Sequence, residues 1–493
     1  MTWDPEFETA FNPKTVAVVG ASRKTPPFSD FVSILQNAGF PGRIYPINHK
    51  AVGEEIHGLK VYPDLVSVPE PIDLVTIAVP LHAIPSVLED CIATNAKNIQ
   101  IYTAGFKEAG DDEGIALEEN LKKIAERGGL RIVGPNCMGL HVPAARVTTW
   151  ISFDPEPGPV AMLAQSGGHA GQFVFDAPLH RIHLSKVISY GNAAVLDSTD
   201  FLEYLATDSE TEIICMYLEG VSDGRKLTTL VREINKTKPV IIWKGGTTES
   251  GARAAASHTG ALGGELAVWD AFFKQTGAVR VDGRDELLDV AMTFRYLRPL
   301  ASNQVALVGG GGGNSVDGAD ICARAGLALP TFNEATLQKL GSFIPREGSI
   351  IKNPIDIATS MADLNIMTRS IECAIADPSI DAAIFILSPG LFFLKAAVDP
   401  ASQMTTIQEA VDKQARVILD PLINLDHENA HRKPLVMVFR EDLARFLPGQ
   451  EDKLRQELLK EGIPVYYSLE RASRAMGKFI RYHEFHKKTD APQ

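Results

Sequence analysis

Short apolar runs alternate with amphipathic segments along most of the chain, and this alternation limits the fold more than any other feature. Apolar runs of about four to eight residues predict buried strands, and the longer segments between them have the periodicity of helices. Strands that alternate with helices form parallel sheets whose ligands bind at the carboxyl ends of the strands. The first series predicts strands at Thr15–Gly20, Arg43–Asn48, Asp73–Pro80, Asn98–Gly105 and Arg131–Asn136.

A joint rich in proline and glycine, Asp154–Pro159, separates the first series from a second one, and a third series follows Pro299. The predicted domains are residues 1–148, with a Rossmann-like fold, and residues 158–298 and 302–487, two variations of a flavodoxin-like fold. The predicted fold class is therefore α/β. The later strands are predicted within Val160–Gly168, Leu184–Asn192, Glu212–Gly220, Lys238–Gly246, Asn303–Val316, Asp381–Gly390 and Pro434–Asp442. Helices are predicted at Asp285–Leu297 and Leu469–Phe485.

Size and composition are those of a globular protein. At about 150 residues per domain, the 493 residues correspond to about three domains. The net charge of −13 and the lack of any block rich in lysine or arginine argue against a nucleic-acid partner. No apolar run approaches the ~20 residues that cross a bilayer, and the acidic start of the sequence lacks the features of a signal peptide. Five scattered cysteines without a CxxC pair fit reduced thiols, so the chain is predicted to be cytoplasmic, without a membrane partner.

A glycine-bearing turn directly follows the first strand of each series. In the turns Gly20–Lys24, Ala164–Gly171 and Gly309–Ser315, backbone N–H groups and a helix N-terminus can face an anion. The first turn lacks the GxGxxG pattern, and residues 48–50 read Asn-His-Lys where an NAD site carries an acidic residue. A basic group there suits a ribose phosphate, as in coenzyme A or NADP. The alternative for the first turn is a plain tight turn.

The second turn combines a hydroxyl group with bare glycines. Ser166, Gly167 and Gly168 open a predicted helix and can hold a phosphoryl group. Glu219 ends a predicted strand, where a carboxylate can hydrogen-bond one imidazole nitrogen and raise the nucleophilicity of the other. A solvated loop carboxylate is the alternative for Glu219, and His169 is predicted to lie on a helix face.

One histidine, His258, lies at the centre of a segment of small residues that has glycines at both ends. Gly245–Gly246 precede this segment and Gly263–Gly264 close it. Glycine adopts both signs of φ and has no side chain to pack, so such a segment is a poor rigid core element. A histidine in a segment with glycines at both ends can move between two sites. This pattern indicates that the histidine carries a chemical group from one site to the other. An ordinary surface loop is the alternative.

His427 and His431 match HExxH, a zinc-protease pattern in which both histidines need a sustained helix. Asp426 precedes the motif and Pro434 closely follows it, so the sequence predicts a very short helix here. No third ligand stands out further along the chain. The segment is therefore predicted to be a polar surface turn, and no metal site is expected in the chain.

Together, these segments resemble the α subunit of NDP-forming acyl-CoA synthetases of the ADP-forming acetate–CoA ligase type, relatives of the succinyl-CoA synthetase α subunit. Matching pieces occur in all three predicted domains, and YLEG followed by SHTGAL is the specific combination. The pieces are VAVVGASRK, YPIN, IAVP, TAGFKEAG, GPNCMGL, AQSGG, YLEGVSDGRK, GARAAASHTGALGG, KNPIDI and PVYYSLERASRAM.

The resemblance implies that His258 is transiently phosphorylated, that Glu219 supports it, and that Ser166, Gly167 and Gly168 belong to the phosphate site. It also implies a Rossmann-like CoA-binding domain followed by two flavodoxin-like succinyl-CoA synthetase domains. The implied reaction interconverts acyl-CoA, ADP and phosphate with a small carboxylic acid, ATP and CoA. The implied CoA-binding residues are Gly20, Ser22, Arg23, Lys24, Asn48, Lys50, Pro80 and Asn136.

No segment has the pattern of the ATP-grasp module that binds the nucleotide in such enzymes. The resemblance therefore implies a hetero-oligomer with a separate ATP-grasp β subunit, which holds ADP or ATP with Mg²⁺. The sequence departs from the family at its glycine turns: QSGGHAG replaces QSGALG, which puts His169 beside the phosphate site, and RKTPPF stands where relatives carry more glycine. Two alternatives stay open, a non-catalytic regulatory protein that binds CoA or acyl-CoA and, with less support, an NAD(P)-linked oxidoreductase.

Overall fold

The computed structural model describes residues 7–151, 153–251, 253, 266–309, 312–357, 363–388, 407–439 and 449–489. In these ranges the chain forms three main sheets flanked by helices and one small two-stranded sheet. This arrangement confirms the predicted α/β fold class. None of the described helices is both long and apolar enough to cross a membrane.

The first sheet contains β1 (Thr15–Val19), β2 (Arg43–Ile47), β5 (Leu74–Ile77), β6 (Asn98–Ile101) and β7 (Arg131–Val133), and the small sheet pairs β3 (Glu55–Ile56) with β4 (Leu59–Lys60). The strand order of the first sheet is β2-β1-β5-β6-β7, and all neighbours are parallel. β1 is buried along its whole length, as its apolar sequence requires. It pairs with β2 on one side and β5 on the other, and this reversal of strand order opens a crevice at its carboxyl end.

Capping residues set both ends of the longest helix beside the first sheet. This helix starts at Asp111, whose carboxylate accepts a hydrogen bond from the Gly114 N–H at 2.7 Å, and it stops at Gly129 with a left-handed φ of 59°. Its buried residues include Leu121 and Ile124, which pack in the core of this sheet. The helices are α1 (Glu8–Phe11), α2 (Phe31–Asn37), α3 (Ile84–Thr94) and α4 (Asp112–Gly128).

The second sheet contains β8 (Gly139–His141), β9 (Pro157–Ala164), β10 (Leu184–Ser189), β11 (Ile213–Leu218), β12 (Val240–Lys244) and β13 (Val279–Val281). Its order is β13-β12-β11-β9-β10-β8. The five strands from β9 onward are parallel in the flavodoxin order, while β8 pairs antiparallel with β10. The helices are α5 (Gly167–Asp176), α6 (Ser198–Thr207), α7 (Gly224–Ile234) and α8 (Leu266–Thr276).

The third sheet contains β14 (Val305–Val308), β15 (Ala382–Leu387), β16 (Leu435–Phe439) and β17 (Val465–Tyr466), in that order and all parallel. The later helices are α9 (Arg284–Tyr296), α10 (Gly312–Ala325), α11 (Glu334–Gly341), α12 (Leu364–Ala376), α13 (Ile407–Glu428), α14 (Gln450–Lys460) and α15 (Leu469–Thr489). Short 3₁₀ helices lie at Pro27–Ser29, Leu81–Ala83, Lys107–Ala109, Pro143–Ala145 and Ala177–His180.

The chain divides into two compact units. Unit 1 comprises Met1–Pro178 and Ile182–Leu287 and contains the first and second sheets. Unit 2 comprises Leu179–Arg181 and Leu288–Gln493 and contains the third sheet. The finer division at residues 148, 158, 298 and 302 stays a prediction.

Every strand predicted from an apolar run is present, but each prediction runs past the observed carboxyl end. For example, the run Asp73–Pro80 contains a strand that ends at Ile77. In this run the residues after Ile77 form the turn that leads into the short helix Leu81–Ala83. The short strands β8, β13 and β17 were not predicted, because two or three residues are too few to show a periodic pattern.

Candidate functional site

The carboxyl edge of the first sheet forms a cleft of about 280 Å³ after β1. Gly20 adopts a φ of +97° there, and a Cβ atom at this position would lie 2.3 Å from the carbonyl oxygen of Ala78. Only glycine fits this turn. The cleft is lined by Gly20 and by residues that the sequence did not single out, among them Thr25, Asp30 and Thr103. This is the position at which parallel sheets of this kind bind a ligand.

The structure brings two of the predicted CoA-binding turns together. The Asn48 side chain donates a hydrogen bond to the carbonyl oxygen of Ala21 at 2.8 Å and accepts one from the Lys50 N–H at 3.0 Å. Ser22 Oγ accepts a hydrogen bond from the Lys24 N–H at 3.2 Å. The turns after β1 and β2 therefore form one surface.

The charges on this surface are mostly exposed. Arg23 donates to the carbonyl oxygen of Glu55 at 2.9 Å and lies 3.8 Å from the Glu54 carboxylate. Lys24 and Lys50 are exposed as well, and Pro80 precedes the short helix Leu81–Ala83 at the end of β5. Exposed cations on paired turns suit a phosphate-bearing ligand.

The second sheet has its functional turn after β9. Helix α5 begins at Ser166, whose Oγ accepts a hydrogen bond from the His169 N–H at 3.3 Å and still has its own proton to donate. A Cβ atom at Gly168 would meet only Ser166 Oγ, at 3.8 Å, so the space over this turn is open. The helix dipole favours an anion at this end. These observations are compatible with the predicted phosphate turn Ser166–Gly168.

Glu219 lies at the end of the neighbouring strand, β11, and its side chain is buried. The Tyr217 hydroxyl donates a hydrogen bond to Glu219 Oε1 at 3.1 Å. Gln165 Oε1 accepts hydrogen bonds from the N–H groups of Glu219 and Gly220, the latter at 3.0 Å. Because Gln165 directly precedes Ser166, it joins the carboxylate turn to the phosphate turn. The alternative of a solvated loop carboxylate is therefore wrong for Glu219.

A buried lysine supports the same turn. Lys244, the last residue of β12, is only 5% exposed, and its ammonium group donates to the carbonyl oxygen of Glu219 at 2.9 Å and to that of Gly245. Burial lowers the pKa of Lys244 below its ordinary value, and the negative charge of Glu219 opposes this effect. Sequence reasoning assigned no role to Gln165, Tyr217 or Lys244, although the first two lie within the pieces AQSGG and YLEGVSDGRK.

His169 lies on the first turn of α5, as predicted, but it faces an aromatic cluster. Its ring centroid lies 4.5 Å from that of Tyr217 and 4.4 Å from that of Trp243. Burial lowers the pKa of His169, while Gln172 and the charge of Glu219 act in the opposite direction. The imidazole is thus a half-buried member of the wall beside the phosphate turn.

A second cleft, of about 570 Å³, contains the predicted phosphate turn and one predicted CoA residue. Its lining includes Ser166, Gly168 and Asn136. Asn136 has a φ of +55° and donates a hydrogen bond to Asn192 Oδ1 at 3.3 Å. Asn136 and Ser166 thus line the same cleft, and Tyr102 lines both this cleft and the one at Gly20. His258 lies outside the described residues, so its predicted role stays a prediction.

The possible metal ligands lie away from these clefts. Among the described residues, Asp154, Glu156 and His183 could hold a cation, but they precede the amino ends of β9 and β10, opposite to the Ser166 edge. His427 lies in the last turn of α13, so the prediction of a very short helix was wrong. His431 lies beyond the end of that helix at Glu428, so the two histidines do not share a helical face.

Two family models match the parts of the chain that form these clefts. A CoA binding domain matches residues 14–143, and a succinyl-CoA ligase like flavodoxin domain matches residues 157–294. The solved structure of dinucleotide-forming acetyl-coenzyme A synthetase 1 from Ca. Korarchaeum cryptofilum, in complex with phosphate and ADP, is similar over 99% of both chains. The TM-score is 0.82 and the sequence identity 29%.

Two curated relatives differ in how much of their length the chain covers. ADP-forming acetate–CoA ligase I of Archaeoglobus fulgidus is 37% identical over 84% of this chain, and the match covers 60% of that longer protein. The α subunit of ADP-forming acetate–CoA ligase I of Pyrococcus furiosus is 35% identical, and the match covers 97% of each chain. The chain therefore belongs to the family of ADP-forming acetate–CoA ligase α subunits.

Proposed function

We propose that the chain is the α subunit of an NDP-forming acyl-CoA synthetase. It interconverts acyl-CoA, ADP and phosphate with a carboxylic acid, ATP and CoA through a phosphorylated His258. The observation that carries the proposal is the junction of the Ser166 turn with the Glu219 turn through Gln165, whose side chain accepts hydrogen bonds from the N–H groups of Glu219 and Gly220. A phosphate turn and a carboxylate at adjacent strand ends suit phosphoryl transfer to an imidazole.

The first step forms an acyl phosphate in the cleft that Ser166 and Asn136 line. A phosphate oxygen attacks the thioester carbonyl, the carbon–sulfur bond breaks, and the CoA sulfur leaves as the thiol with a proton from phosphate. The N–H groups at the start of α5 and the Ser166 hydroxyl bind the phosphate oxygens. The acyl group is that of a small carboxylic acid.

In the second step an imidazole nitrogen of His258 attacks the phosphorus, and the carboxylate leaves with the bridging oxygen. Glu219 accepts a hydrogen bond from the other ring nitrogen and stabilises the positive charge that develops on the ring. The segment between Gly245–Gly246 and Gly263–Gly264 then carries the phosphoryl group to ADP. The reverse sequence makes acyl-CoA from the acid, CoA and ATP.

CoA binds at the first sheet through Gly20, Pro80 and the exposed cations of the paired turns. Asn136 contacts the thiol end of CoA. The chain has three domains in this proposal. Residues 1–148 bind CoA, residues 158–298 carry His258, and residues 302–487 form a second flavodoxin-like domain. The nucleotide and its Mg²⁺ bind to an ATP-grasp β subunit in a hetero-oligomer. The full length of the Pyrococcus furiosus α subunit supports a separate partner, since the chain covers 97% of it.

The decisive experiment follows the label from phosphate to the histidine. The full chain is incubated with radiolabelled phosphate and a panel of acyl-CoA thioesters, and separately with labelled ATP, Mg²⁺ and the co-purifying ATP-grasp subunit. Acid-labile label is expected on the wild-type chain and on His431→Ala, and none on His258→Ala. Label that persists in His258→Ala, or none under either condition, contradicts the proposal.

The requirement for a second polypeptide has its own test. The purified chain alone, given acetyl-CoA, ADP, Mg²⁺ and phosphate, is expected to make no ATP, and the ATP-grasp subunit should restore synthesis. ATP made by the chain alone would contradict the hetero-oligomer. The regulatory alternative has no support among the relatives above, which carry ligase or synthetase names.

A further inference from the structure

The carboxylate of Glu219 has a hydrogen-bond donor from its own strand. Tyr217 and Glu219 are two residues apart at the end of β11, so their side chains point to the same face. The Tyr217 hydroxyl donates to Glu219 Oε1 at 3.1 Å, in a buried position. This hydrogen bond fixes one of the two carboxylate oxygens, and so determines the direction of the other.

The backbone of Glu219 is held on both sides. Gln165 accepts hydrogen bonds from the N–H groups of Glu219 and Gly220, and Lys244 donates to the carbonyl oxygen of Glu219 at 2.9 Å. With the backbone fixed, the side-chain torsions alone decide where the carboxylate points. Tyr217 acts on these torsions.

The ring of Tyr217 is itself held in place. Its centroid lies 4.5 Å from that of His169 and 4.7 Å from that of Trp243. A Cβ atom at Gly245 would lie 2.6 Å from the Tyr217 hydroxyl oxygen, so a larger residue there would displace the hydroxyl. Burial raises the pKa of Tyr217, and the charge of Glu219 raises it further, so the phenol keeps its proton to donate.

We propose that Tyr217 is a positioning residue, which orients the Glu219 carboxylate toward the imidazole that carries the phosphoryl group. This inference rests on the proposed function. Its effect comes through Glu219, so removal of the hydroxyl should slow the phosphorylation of His258 and leave CoA binding at the first sheet unchanged.

The charged and titratable groups that act on Glu219 come from each element around it. They are Lys244 on β12, His169 on α5, Tyr217 on β11 and Tyr190 after β10. Without the Tyr217 hydroxyl, Glu219 Oε1 loses the hydrogen bond that fixes its direction. The turn at Ser166 stays intact, so the KM for phosphate should change less than the maximal rate of labelling.

The test compares two substitutions of the same kind in the full chain. Tyr217→Phe keeps the ring and removes the hydroxyl at the site. Tyr204→Phe removes a hydroxyl that donates to Glu8 Oε1 at 3.4 Å, away from the site. Acid-labile labelling from acyl-CoA is measured against the concentration of phosphate. We expect the maximal rate of labelling to be about tenfold lower in Tyr217→Phe, with little change in the KM for phosphate, and both to be unchanged in Tyr204→Phe.

A double-mutant cycle with Glu219→Gln separates positioning from a structural role. If Tyr217 acts through Glu219, its substitution has no further effect once the carboxylate is gone. Equal effects in both backgrounds, or a change confined to the KM for phosphate, would overturn the inference while wild-type labelling still upholds the proposed function. No label on the wild-type chain would instead refute the proposed function. CoA binding by calorimetry confirms that each variant is folded.

Discussion

The second and third sheets have similar edges but different chemistry. Both place a glycine turn after a first parallel strand and follow it with a helix, α5 in one and α10 in the other. At the second sheet the turn meets Gln165, Glu219 and the buried Lys244. At the third sheet, a cleft of about 310 Å³ is lined by residues that include Asp317 and Glu470. Among the described lining residues of that cleft there is no lysine or arginine.

The difference shows that a glycine turn alone does not determine which ligand binds beside it, because the neighbouring side chains set the charge and the hydrogen bonds of the cleft. Gly309 has a φ of +96°, and a Cβ atom there would lie 2.5 Å from the carbonyl oxygen of Ile386, so its glycine is explained by backbone packing alone. Two carboxylates beside such a turn disfavour a phosphate. At the second sheet the neighbouring strand ends supply the hydrogen bonds that hold Glu219. The third cleft is therefore a matched control for the second.

The largest effect should come from removing one carboxylate at each edge. Glu219→Gln is expected to slow the formation of acid-labile phosphoenzyme by about 10³-fold, because the imidazole loses the negative charge that stabilises the positive charge on its ring. Glu470→Gln, at the exposed third edge, should leave the rate within twofold or so. Single-turnover labelling with acyl-CoA and phosphate measures both. Similar losses in the two variants would remove the distinction between the two edges.

A buried histidine gives the two units different responses to acid. His141 on β8 is 1% exposed, and burial lowers its pKa to about 4, whereas in unit 2 burial lowers the pKa of the half-buried His483, which lies on α15 and outside the third sheet. The unfolded chain binds a proton near pH 6.5, so the folding of unit 1 loses roughly 3 kcal/mol as pH falls from there to 4. The contribution is fully present above pH 6.5.

Hydrogen exchange at several pH values measures this loss separately in the two units. The exchange of amides around β8 and β10 should accelerate on acidification more than that of amides in β15 and β16. His141→Asn keeps a polar atom for the hydrogen bond with Thr148 and should flatten the pH dependence of unit 1. An unchanged slope in this variant would contradict the assignment to His141.

The sequence predicted the sheets well because strands such as β14 and β15 are continuous apolar runs between turn residues. It singled out Glu219 because strand ends carry function in parallel sheets, and the structure places this residue directly after β11, while its role stays a prediction. Gln165 and Lys244 escaped prediction because their shared partner, Glu219, follows the neighbouring strand β11 and lies 54 and 25 residues away along the chain. Asn136, which is predicted to bind CoA with Gly20, lines the same cleft as Ser166, and Tyr102 lines both that cleft and the one after β1.

The smallest effect is expected when one carboxylate is added at each of the two glycine turns. Gly168→Asp and Gly313→Asp both place the new side chain in open space near a helix N-terminus, where an acidic residue does not weaken the helix. Thermal stability should therefore stay the same or rise slightly in both.

At the second turn the added carboxylate of Gly168→Asp repels phosphate, so the KM for phosphate in acyl-CoA phosphorolysis should rise about tenfold, with kcat less affected. Gly313→Asp should leave both constants unchanged, because Asp317 and Glu470 already line that cleft with negative charge. A rise in the KM for phosphate in Gly313→Asp, and none in Gly168→Asp, would place the phosphate at the third sheet and reverse the comparison.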